Sequence, residues 1–177
     1  MTSIIKVDQI QNAAGGTPTA ADLGLNVSGT VLQVKQTYFG TLTAFTGSQA
    51  YTACTDSDCV ITATQDNSKF LIRVTLQLYH AGGTKPANAG IYRDATLIAG
   101  TSGASGDGWA GTFNTNPAVN DNCNTVVREY LDSPSLSAGA SVTYKAALGA
   151  WSGTGTVSVN IAGYSIKSSI VVQEIAG

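Results

Sequence analysis

Hydrophobic and polar positions alternate along most of this chain, and the alternation has the period of a β-strand. Between Lys69 and Tyr79, Phe70, Ile72, Val74, Leu76 and Leu78 fall on one side, and Lys69, Arg73, Thr75 and Gln77 on the other. Apolar residues at every second position predict a half-buried antiparallel strand. Leu71 and Tyr79 add apolar bulk to the second side, so that face is not wholly solvated. Val142, Tyr144, Ala146 and Leu148 repeat the pattern, with Ser141, Thr143 and Lys145 outward, and Val157, Val159 and Ile161 form a shorter series. The last strand, Ser169 to Ile175, is apolar on both sides in part: Ile170 and Val172 on one, Val171 and Ile175 on the other. Such a strand is central in its sheet or sits at a subunit interface. Shorter strands are expected at 31–36, 39–45, 59–64, 91–94, 97–99 and 125–131.

No stretch keeps a 3.6-residue repeat. About ten short strands separated by Gly, Asn, Ser and Pro turns predict an all-β fold, an antiparallel jelly-roll-like sandwich. One long irregular stretch interrupts them, Gly100 to Asn124, rich in Gly and Asn and carrying Trp109 and Phe113. A connection of that length in a compact β domain is commonly functional or partly disordered.

The start of the chain reads differently. Ile4, Ile5, Val7 and Ile10 make a short apolar hook, too few for a core of their own. A Gly/Pro/Thr/Ala linker follows, from Ala13 to Leu25. The expected division is an extended anchoring segment over 1–29 and a β-sandwich over 30–177, with those four residues docking on a larger partner.

Composition sharpens this picture. The chain has 177 residues, enough for one packed core with an appendage. Charged residues make up 11%, and the net charge is −2. An ordinary soluble domain is roughly 25% charged. The polar surface is therefore built from Thr, Ser, Asn and Gln, as suits a virion protein or a subunit buried in an oligomer. Nothing here attracts phosphate backbones, which argues against nucleic-acid binding. No run of ~18 apolar residues predicts a spanning helix. Only Lys6 carries positive charge ahead of the short apolar stretch, so no secretory signal is read. A protein of this kind working outside a cell is expected to leave by lysis or within a particle.

Candidate chemistry is sparse. Cys54 and Cys59 flank Thr-Asp-Ser-Asp, and a tight loop between strands could bridge them or leave them as thiols. With His80 the only histidine, no metal site and no cofactor are expected. Asp56, Asp58, Asp66, Asp107, Asp121 and Asp132 could supply a carboxylate pair or calcium ligands. Turn chemistry accounts for them more simply, and no EF-hand pattern follows. His80 is expected at a strand end facing water, and no Gly-x-Ser-x-Gly elbow frames a nucleophile. Gly106-Asp-Gly108 and Gly153-Thr-Gly155 open no helix, so neither reads as a nucleotide loop. Trp109 and Trp151 beside glycines, with Asn120, Asp121 and Asn122, are the candidate host-surface contacts. An exposed Trp stacks on sugars, although large aromatics more often plug a sandwich end. No residue is expected to be catalytic.

Several short motifs occur in order: Ile4-Ile-Lys-Val-Asp-Gln-Ile-Gln11, Gly15-Gly-Thr-Pro-Thr-Ala-Ala-Asp-Leu-Gly24, and Gly29-Thr-Val-Leu-Gln-Val34. They are followed by Tyr130-Leu-Asp-Ser-Pro134, Val142-Thr-Tyr-Lys145 and Ser168-Ser-Ile-Val-Val-Gln-Glu-Ile-Ala-Gly177. In this order the chain resembles small virion proteins of tailed bacteriophages, including those of marine and cyanobacterial hosts. The resemblance implies a tail-fibre or capsid-fibre subunit: a homotrimeric jelly roll, similar to the tumour-necrosis-factor head domain, behind an N-terminal attachment segment. It implies a virion location, other phage virion proteins as partners, and a host-surface glycan as the candidate ligand. A capsid decoration protein is the alternative role. A polysaccharide depolymerase is the alternative from another class.

Overall fold

The computed structural model describes residues 11, 15–17, 23, 28–45, 49–82, 86–100, 121–150, 155–161 and 165–177, with the backbone alone at Gln49, Asp121 and Asn122. Its eleven strands are β1 (Val31–Phe39), β2 (Thr43–Phe45), β3 (Gln49–Ala53), β4 (Cys59–Thr62), β5 (Lys69–Ala81), β6 (Ala87–Arg93), β7 (Thr96–Ala99), β8 (Asp121–Asp132), β9 (Ser141–Ala150), β10 (Thr156–Val159) and β11 (Ser168–Ile175). They form two antiparallel sheets. The six-stranded sheet runs β1-β11-β5-β10-β2, with β8 on the other side of β5. The five-stranded sheet runs β3-β9-β6-β7, with β4 also paired to β9. The fold is the expected all-β, jelly-roll-like sandwich.

Alternation places the core. Phe70, Ile72, Val74, Leu76 and Leu78 of β5 and Ile170 and Val172 of β11 point inward, against Val142, Tyr144, Ala146 and Leu148 of β9 and Ala87, Ala89 and Ile91 of β6. β11 pairs with β1 on one side and β5 on the other, so the two-faced final strand is central in its sheet.

Several expectations change at strand ends. β5 continues through Ala81, so His80 keeps the inward parity of Phe70 to Leu78 and is 1% exposed, where a water-facing side chain was expected. The stretch read as irregular to Asn124 is strand from Asp121 onward, paired with the far end of β5. β1 runs to Phe39, and the next strand starts only at Thr43, because the chain breaks over 40–42. β3 was not expected, and β6 begins at Ala87, four residues before the first β-branched residue that signalled it.

Three polar groups inside the sandwich fix how its parts join. Asp132, expected in a turn, ends β8 and is buried. It accepts from Arg93 Nη1 at 2.9 Å and from the Tyr144 hydroxyl at 2.8 Å, tying the two sheets together. Glu174 is fully buried on β11. Its carboxylate accepts from Ser68 Oγ (2.7 Å), Thr64 N (2.7 Å), Thr64 Oγ1 (3.0 Å) and Gln33 Nε2 (2.6 Å). Burial pushes this carboxyl up, but those hydrogen bonds outweigh it and hold it below its ordinary value. Asn160 adopts φ 62° and donates to the carbonyls of Phe39 and Thr41, which closes the bend after β10.

On the outside of the five-stranded sheet, the Tyr51 ring lies across glycines. A Cβ at Gly90 would stand 2.5 Å from Tyr51 Cδ1, so the ring requires glycine there, and one at Gly149 would stand a tight 3.1 Å away. Ala147, Tyr92 and Leu97 complete this small apolar cluster.

Candidate assembly surface

The outer face of the six-stranded sheet is built by register. Residues directly opposite in an antiparallel pair share a face. One row across it runs Leu131–Leu71–Gln173–Val34, from β8 through β5 and β11 to β1. The next runs Glu129–Arg73–Val171–Gln36, and the third Val127–Thr75–Ser169–Tyr38. Beyond the first row, Val31 lies opposite Ile175, which lies opposite Lys69.

Exposure along these rows is uneven. Val31, Val34 and Tyr38 on β1 and Val127 and Leu131 on β8 are 50%, 54%, 62%, 47% and 51% exposed. Leu71, Val171 and Ile175, between them, are half-buried. The face therefore has two apolar borders about three strand spacings apart, roughly 14 Å. Between them Arg73 Nε meets Glu129 Oε1 at 3.1 Å, and Lys69 adds a positive charge beyond the first row. Isolated surface apolar residues are ordinary, but several on one face mark an interaction surface.

The lateral edges are closed differently. β1 and β4 are border strands of opposite sheets, and side chains of β1 take up main-chain carbonyls at either end of β4. Gln33 Nε2 donates to Thr62 O at 2.6 Å and Thr37 Oγ1 to Asp58 O at 3.1 Å. Across the sandwich, Arg128 Nε of β8 donates to Ala89 O of β6 at 3.0 Å. Carbonyls engaged this way are not open to an added strand.

The expected site residues fall as follows. Ile4, Ile5, Val7, Ile10, Trp109, Asn120 and Trp151 lie outside the described residues. Asp121 and Asn122 are the first two residues of β8, opposite Ala81 and His80, and belong to a strand where a loop was expected. Cys54 and Cys59, the candidate bridge, are buried in the core and carry free thiols. Burial pushes the Cys54 thiol up to about 12 and the Cys59 thiol up as well, the latter offset in part by Thr37 and Lys35. Both are neutral and unreactive. Cys123 is exposed on β8. Of the aspartates, Asp56 sits at φ 59° in the turn between β3 and β4, as turn chemistry predicts.

Among the described residues, no three His, Cys, Asp or Glu side chains converge as a metal site needs. Among the described residues, no helix is long and apolar enough to cross a membrane. One recess, bounded by Gln77, Leu78, Cys123, Ile161 and Ile166, has a volume of about 20 Å³, room for a single water.

Fold and surface together define a jelly-roll-like β-sandwich whose β1 and β8 sides are bridged to the facing sheet by side chains, with one mixed, exposed sheet face. No protein-family model matches the chain, and no curated protein matches it. Among solved structures, 12 chains match. One is a chain in the structure of infectious bursal disease virus, Gx strain, at 12% identity and a TM-score of 0.37. The match covers 84% of this chain but only 39% of that one. At that distance the likeness assigns no function.

Proposed function

We propose that this protein is a non-enzymatic structural component of a bacteriophage particle: a homotrimeric short fibre or knob, docked through its N-terminal segment, whose distal loops contact the host surface. The observation that carries this reading is the outer face of the six-stranded sheet. A domain that is only 11% charged and leaves Val31, Val34, Tyr38, Val127 and Leu131 half exposed on one face is built to be covered. The ordered resemblance to phage virion proteins supports the particle as the setting. In this reading the apolar hook at Ile4, Ile5, Val7 and Ile10 docks on a neighbouring virion protein.

Deleting residues 1–12 tests the docking role. The truncated chain is expected to remain a folded β-sandwich by circular dichroism yet to be missing from purified particles. Incorporation at the full-length level would overturn the docking role. The decoration alternative predicts particles that lose heat stability, with host adsorption unchanged, when the gene is deleted. A fibre or knob predicts the reverse.

A further inference from the structure

The pairing of β9 brings two thiols together. β3 and β4 share one border of β9, β3 along 147–150 and β4 along 141–144. Cys54, just past β3, donates its N–H to Ala146 O at 2.8 Å, and Cys59, the first residue of β4, pairs with Tyr144. The two cysteines therefore stand two residues apart along β9 and, like Ala146 and Tyr144, turn into the core. Two residues of strand are roughly 6.6 Å, within the ~4.4–6.8 Å between Cα atoms that a disulfide spans. The chain between them makes a turn with Asp56 at φ 59°, held by Ser57 Oγ on Cys54 O at 2.7 Å. Thr55, Asp56 and Asp58 are exposed, so the turn borders solvent along most of its length.

We infer that Cys54 and Cys59 are a redox modification site: a low-molecular-weight disulfide such as oxidised glutathione converts the two thiols into an intrachain bridge that ties β3 to β4. In the closed fold neither thiol reacts, so the reaction follows local opening of the turn. Cys59 attacks first. Thr37 and Lys35 beside it favour its thiolate, whereas Cys54 has burial alone acting on it. The Cys59 thiol gives its proton to solvent, and its sulfur displaces one glutathione thiolate, which takes up a proton. Cys54 then loses its proton and attacks the mixed disulfide at the Cys59 sulfur, releasing the second glutathione. One external disulfide is reduced to two thiols as two protein thiols are oxidised to one bridge. Only the timing rests on the particle reading above: a chain assembled in a reducing cytoplasm meets such oxidants on release.

The full-length chain with Cys123→Ser, which removes the exposed thiol, tests this. It is held with oxidised glutathione, then unfolded, treated with iodoacetamide and weighed by mass spectrometry. The expected product is lighter by two hydrogens, takes up no iodoacetamide and has a higher urea midpoint than the reduced chain. Two alkylated thiols, or two retained glutathiones, would overturn the site. A bridged product with an unchanged or lower midpoint would overturn the bridge as a tie between β3 and β4. Cys54→Ala in the same background is expected to stop at one glutathione on Cys59, and no adduct there would overturn the order of attack. The first arm needs no core substitution, so it decides the site even where Cys54→Ala weakens the fold. Alkylating host cells before and after lysis tests the timing. A bridge complete before lysis would overturn the timing and leave the site standing. A bridge that forms in a chain absent from purified particles would count against the particle reading and not against this one.

Discussion

Glu174 is the residue on which most local order converges. Its carboxylate gathers donors from β1, from the β4–β5 turn and from Ser68 beside β5, and no cation shares the site among the hydrogen bonds described. Every partner presents a donor, so Glu174→Gln would aim an amide N–H at groups that need an acceptor. The expected cost is about 1–3 kcal/mol, read as a lower urea midpoint with an unchanged slope. The pH dependence follows from the direction of the shift. The folded carboxyl is held below its ordinary value, so its stabilisation is complete above the unfolded value near 4.5 and is lost as pH falls through the lowered folded value. Acid unfolding curves of the wild type and Glu174→Gln are expected to converge at low pH. Curves that stay parallel there would show that the carboxylate is not the source.

At the scale of elements, the side chains that bridge β1 to β4 oppose strand addition on that side of the sandwich. Gln33 and Thr37 engage carbonyls at both ends of β4; Gln33 also donates to the buried Glu174 carboxylate, so its loss lowers stability as well. Gln33→Val with Thr37→Val is expected to promote strand-to-strand aggregation, seen as earlier thioflavin-positive material on mild heating. An onset unchanged from wild type would refute this role for the two side chains. Strands were legible in the sequence where large apolar residues alternate, as in β5, β9 and β11. β3 was hidden because its two β-formers, Tyr51 and Thr52, stand together in a five-residue strand, and the start of β6 because Ala, Asn and Gly carry little β-signal. His80 was misread for a related reason: the glycines after Ala81 suggested an end, yet its parity already matched the inward series. The candidate surface was legible only in part. Leu71 and the two-faced final strand signalled an unsolvated second face. Val34, Tyr38, Val127 and Leu131 lie on two strands far apart in sequence, and only the pairing of β8, β5, β11 and β1 brings them into rows.

For the whole molecule, the root of the N-terminal segment matters most. Gly29 N donates to Ala176 O at 3.0 Å and Ala176 N to Thr30 O at 2.8 Å, so the chain enters the sandwich beside the end of β11 and continues directly as β1. If the segment before Gly29 is the tether, tension on the particle is delivered lengthwise along β1. The eight register pairs between β1 and β11 lie across the direction of pull and are loaded in shear, so they yield together rather than unzipping one by one. Stretching between the N-terminus and an attachment at the far end of the sandwich is expected to give one high-force rupture, and stretching between the two adjacent chain ends, which peels β1 from β11, a low, drawn-out one. Equal forces in the two geometries would remove the basis for a load-bearing strand. A domain built this way serves as a mechanical clamp, strongest along the axis by which it would be held.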